Sequence, residues 1–116
     1  MMTTANYNEV KIVIGSWGSY NAGNSRAMGS KLITLSNYDD WEEIEEELKK
    51  QGFQLDGIDE ELFVQDIENL DLEGENTDYL SPRKLFETLR DSGVLYDSDK
   101  FEVMEAFIEV RSYKDF

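Results

Sequence analysis

Val10, Ile12 and Ile14 are separated by Lys11 and Val13, a period of two that predicts a half-buried strand over residues 9–16. The next ten residues, Gly15 to Asn24, are dominated by small and turn-forming types and predict a structured loop. Lys31 to Leu35 has the β-branched and apolar content of a second strand, and Ser36-Asn37-Tyr38-Asp39 supplies helix-capping chemistry. From about Asp40 to Gln51 the period changes: Trp41, Ile44 and Leu48 fall at i, i+3 and i+7, one face of a helix, with Gly52 as its stop. Residues 53–61 read as a broken turn, and Leu62 to Glu68 as a third strand. Ser81-Pro82 then opens a helix with a serine cap and a proline at its first position, Leu85, Phe86 and Leu89 lining one face as far as Gly93. A last helix from about Asp97 carries Phe101, Met104, Phe107, Ile108 and Val110.

This pattern predicts an α+β fold: a small three-stranded antiparallel sheet with one acidic helix, followed by a small helical module. The expected division is an α+β domain over 1–70, a linker at 71–80 containing Gly74 and several acids, and a helical domain over 81–116. With 116 residues, 40% of them hydrophobic, there is enough apolar material for a modest core.

Charge changes the picture most. The net charge is −15, from 26 acids and 11 bases. Residues 39–78 hold 17 acids against two bases and carry the whole of that excess, while the flanking segments hold +2 and −2. Phosphate would be repelled, so direct nucleic-acid binding is not expected and a basic protein partner is. Asp39 to Gln51 spans about 18 Å at helical rise. It holds seven carboxylates, a density comparable to the roughly one charge per 1.7 Å of duplex DNA. Asp59, Glu60, Glu61, Asp66 and Glu68 are expected to extend that row. Glu45 with Lys49, and Glu46 with Lys50, stand at i, i+4 in the favourable order and trim the charge slightly.

Other chemistries have less support. The sequence contains no cysteine and no histidine, which removes disulfides, thiolate metal sites and the side chain best suited to proton transfer near pH 7. Asp97-Ser98-Asp99 begins like a calcium loop but has Glu102 where the turn glycine belongs, and Asp71-Leu72-Glu73-Gly74 places its glycine too early. The glycines at 15, 18 and 23 lack a following Gly-Lys-Ser/Thr and are turn chemistry rather than a phosphate loop. No pair among the acids is singled out for catalysis, so an enzyme is not expected, nor is any cofactor or metal. The opening residues lack a basic, apolar leader and no run is apolar enough to span a bilayer, so a cytoplasmic protein without a membrane partner is expected.

The run Ile14-Gly15-Ser16-Trp17-Gly18-Ser19-Tyr20-Asn21-Ala22-Gly23 resembles the opening of the ArdA antirestriction family, in which a strand leads into a Leu/Trp-x-x-Tyr-Asn-x-Gly loop and a second strand. Later features follow the same order. The acidic helix at 39–51 and the acidic strand segment at 61–69 resemble the family's, and the stretch Leu80 to Val110 is similar to the second domain of some members. The resemblance implies a DNA mimic, carried on plasmids or conjugative transposons, that occupies the DNA groove of type I restriction-modification enzymes. In the family a third domain carries a further acidic motif and the homodimer contact, and the resemblance found here reaches only the second. The carboxylates expected to stand in for phosphates are Asp39, Asp40, Glu42, Glu43, Glu46, Glu47, Asp59, Glu60, Glu61, Asp66 and Glu68. The alternative is a generic acidic interaction module of a mobile element, with the helical half as its recognition surface.

Overall fold

A computed structural model of the protein describes residues 10–70 and 80–108. Strand β1, Lys11–Ser16, is the centre of a three-stranded antiparallel sheet. It pairs on one side with the short β2, Ile33–Thr34, and on the other with β3, Leu62–Glu68. Helix α2, Trp41–Lys50, lies between β2 and β3 in sequence, and α3, Pro82–Asp91, and α4, Ser98–Ile108, follow the sheet. Short 3-10 turns at Leu35–Asn37 and Val94–Tyr96 complete the order.

The expected loop after β1 is instead a helix, α1, Trp17–Ala22. The Ser16 hydroxyl accepts the Ser19 N–H at 3.2 Å at its start. Gly23, with φ +65°, closes its end by donating to the carbonyls of Ser19 and Tyr20. A capping serine and a left-handed glycine seven positions apart overcome a composition in which Ala22 is the one strong helix former.

Strict alternation cannot place β3. In Leu-Phe-Val-Gln-Asp-Ile-Glu it would put Leu62 and Val64 on one face with Asp66 and Glu68, and Ile67 on the other. A bulge resolves the conflict. Val13 pairs with Asp66 but Ile14 pairs with Val64, so Gln65 is the extra residue. Leu62, Val64 and Ile67 thereby face inward with Ile12 and Ile14, while Phe63, Asp66 and Glu68 share the outer face with Gly15, Val13 and Lys11.

One cluster of buried side chains runs through the inner face of the sheet, α2 (Trp41, Ile44, Leu48), α3 (Leu85, Phe86, Leu89), the turn residues Val94 and Leu95, and α4 (Phe101, Met104). Residues of the expected α+β part and of the expected helical part thus share one core. Residues 71–79 lie outside the described residues, but Leu70 and Leu80 on either side of them belong to that same core. Two polar contacts also join the halves: Tyr96 OH donates to the Tyr38 carbonyl at 3.2 Å, and Arg90 Nη1 to the Asp39 carbonyl at 3.3 Å. Of the apolar residues expected along the last helix, Phe101 and Met104 are buried. The side chains of Phe107 and Ile108, and all of Val110, lie outside the described residues.

Candidate protein-interaction surface

Helix α2 sorts its residues by face. Trp41, Ile44 and Leu48 are buried, Glu45 and Glu47 flank them half-buried, and Glu42, Glu43, Glu46, Lys49 and Lys50 face solvent. The start of the helix is fixed by its own acids. Asp40 is the cap and accepts the Glu43 N–H at 3.0 Å, while the Glu43 carboxylate reaches back to the Asp39 N–H at 2.7 Å. Acids in the first turn and Lys49 and Lys50 in the last also suit the helix dipole. Neither expected i, i+4 pair is the one formed: Lys49 Nζ sits 3.8 Å from Glu46 instead, and that pair is too exposed to cancel much charge.

Asp39, Asp40, Glu42, Glu43 and Glu46 thus stand together on a rigid, solvent-facing helix surface. Glu47 is half-buried at its flank, where it accepts from Gln51 Nε2 at 2.8 Å. Their field reaches the adjoining phenols. Burial first, then Glu47 and Glu43, push the Tyr38 hydroxyl above its usual titration range, and burial followed by Asp39 does the same to Tyr96.

The expected continuation of the row does not form. Asp66 and Glu68 are exposed, but the bulge turns them to the outer face of the sheet, across the core from α2. Glu60 and Glu61 are exposed just before β3, beside α1, where the Glu61 carbonyl accepts the Trp17 N–H at 3.0 Å.

Asp59 stands apart from the exposed candidate carboxylates: its side chain is 0% exposed. One oxygen accepts the Ser19 hydroxyl; the other accepts Arg26 Nε at 3.0 Å and the Gln54 N–H at 2.7 Å. Burial alone would raise its pKa, but the Gln54 N–H, the Ser19 and Ser16 hydroxyls and the Arg26 charge outweigh it and hold the carboxyl below its ordinary value. Asn24 Nδ2 extends the network by donating to Ser19 Oγ at 3.1 Å.

The Gly-Ser-Trp-Gly-Ser-Tyr run is therefore an anchoring device. Ser16 caps α1 and Ser19 binds Asp59. Trp17 stacks on Phe63 with ring centroids 4.1 Å apart, and Tyr20 meets both rings edge-on. A Cβ on Gly18 would come within 1.9 Å of the Ile58 carbonyl oxygen. The buried role of Asp59 has no local signal in the sequence, because its partners Arg26 and Ser19 lie 33 and 40 positions away. The capping frame of Ser16 and Gly23 was a signal for α1.

Asp97 uses its carboxylate to cap α4, accepting the Asp99 N–H at 2.9 Å and the Lys100 N–H at 3.4 Å. The segment Asp71 to Gly74 lies outside the described residues. Among the described residues no group of three or more acids stands close enough to hold a metal ion, and no helix is long and apolar enough to cross a membrane. Compared with protein-family models, curated proteins and solved structures, the chain matches none.

Proposed function

We propose that the protein is an antirestriction factor, an acidic mimic of duplex DNA that occupies the DNA groove of a type I restriction-modification enzyme in the cytoplasm. The observation that carries this reading is the exposed carboxylate surface at α2: Glu42, Glu43 and Glu46 on a helix seated by Trp41, Ile44 and Leu48, with Asp39 and Asp40 at its start. Such a surface presents closely spaced negative charge at low entropic cost to the Lys and Arg that line a DNA channel. The resemblance of residues 14–23 to the ArdA opening supports the same class of partner.

The test is competition with duplex DNA for a type I methyltransferase core at two salt concentrations. The protein displaces DNA at low salt, and its affinity falls at least about tenfold between about 50 and about 200 mM salt. Absence of displacement at low salt, or a complex indifferent to salt, overturns the proposal.

A second reading, an interaction module that binds through its helical half, draws support from Tyr96 and Val103, which are 52% and 60% exposed. On that reading Val103→Glu abolishes binding and neutralising Asp39 to Glu47 does not.

A further inference from the structure

In a protein with 26 acids and 11 bases, three of the bases line one cleft of about 580 Å³. Arg26 comes from the loop after α1, Lys31 from the approach to β2, and Lys50 from the last turn of α2. The volume lies within the range of small-molecule sites.

The walls are fixed. Gln51 fastens two of them, its Oε1 accepting the Lys31 N–H at 2.8 Å and its Nε2 donating to Glu47 at 2.8 Å. That second bond occupies Glu47, the acid in the lining. Arg26 is 20% exposed and is held from behind by buried Asp59, which takes its Nε–H at 3.0 Å. A guanidinium has five N–H donors, so this contact orients the group and leaves the others for a ligand. Among the described residues no carboxylate lies within ion-pair distance of Lys31 or Lys50.

We propose that this cleft binds a small phosphate-bearing anion. A guanidinium offers planar, bidentate recognition of phosphate or carboxylate, and two added ammonium charges favour a multiply charged phosphate over a single carboxylate. Arg26, Lys31 and Lys50 outnumber the two nearby acids, Glu47 in the lining and Asp59 behind Arg26, and repulsion from acids farther than about 8 Å is largely screened at physiological ionic strength. The site is independent of the acidic surface of α2, and each reading stands or falls on its own experiment.

The experiment follows the backbone amides of Lys31 and Gln51 by NMR while inorganic phosphate, pyrophosphate or ATP is added, with total ionic strength held constant by sodium chloride. Saturable shifts are expected. Loss of one charge-assisted contact is worth about tenfold, so the doubly substituted Lys31→Gln/Lys50→Gln protein binds at least that much more weakly. Lys49→Gln, which removes one charge from the same end of α2 but outside this cleft, leaves binding unchanged. Saturation by pyrophosphate as well as ATP assigns the site to phosphate itself, and saturation by ATP alone assigns it to a nucleotide. Both lysines are exposed, so their replacement preserves the fold, which an unchanged amide spectrum elsewhere verifies. No saturable shift with any of the three anions, or shifts that survive the double substitution, overturns the proposal.

Discussion

Asp59 and Glu60 are adjacent acids with opposite fates, one sealed under α1 and the other in solvent. Nothing in the local pattern separates them, because the difference is made by Ser19 and Arg26, which arrive from another part of the chain. Removing the Asp59 charge leaves the largely buried Arg26 without its counter-ion. Asp59→Ala should therefore lower unfolding stability by about 3–5 kcal/mol, read from the midpoint of denaturant unfolding. Because the folded-state carboxyl titrates below its ordinary value of 3.8, the stability it contributes is fully present above that pH. It is lost as pH falls through the lower folded-state value. Acid unfolding monitored by tryptophan fluorescence should accordingly lose this pH-dependent component in Asp59→Asn. Gly18 is constrained as tightly, by space rather than charge. Gly18→Ala drives a methyl into the Ile58 carbonyl, and since backbone has to move to admit it, the cost should exceed the usual 1–3 kcal/mol or so of overpacking. An unchanged melting temperature in Gly18→Ala would contradict this packing.

At the scale of the elements, α2 was legible because every local influence agrees: apolar spacing, the Asp40 cap, first-turn acids and last-turn lysines. The observed helix, Trp41–Lys50, falls inside the expected range, and β3 spans the expected Leu62 to Glu68. What was not legible in β3 is its bulge, since the sequence shows only that alternation fails and the register that repairs it belongs to β1. Helix α1 was hidden for a different reason: composition argued for a loop, and its stability comes from caps and from Trp17 lying on Phe63. In α2 the cap separates structure from surface. Asp40→Ala removes the acceptor of the Glu43 N–H and should cost about 1 kcal/mol, whereas Glu42→Gln with Glu46→Gln changes exposed positions and should stay within about 0.5 kcal/mol of the parent. Thermal unfolding of the two variants side by side distinguishes these roles, and equal losses would show that the outward acids support the fold.

For the molecule as a whole, the net charge of −15 was plain from the sequence, but its arrangement was not. The carboxylates expected to form one row are distributed instead. α2 and the two residues before it carry five exposed acids on the helical side, the bulge sends Asp66 and Glu68 to the outer face of the sheet, and Glu60 and Glu61 stand beside α1. A groove that receives this protein meets one such face at close range and senses the others only through a screened field. This separation permits a comparison at constant net charge. Glu42→Gln/Glu46→Gln and Asp66→Asn/Glu68→Gln each remove two negative charges, with near-isosteric amides, from opposite sides of the core. If α2 is the surface that enters the groove, the first pair should weaken displacement of DNA from a type I methyltransferase core by about 1–2 kcal/mol, roughly tenfold. The second pair should change it by less than about threefold, through the long-range field alone. Raising the salt should erase the small effect of the second pair before the larger effect of the first. Equal losses from the two pairs would mean that affinity follows total charge rather than the placement of carboxylates on α2, and occupancy of a groove by that helix would then no longer account for binding.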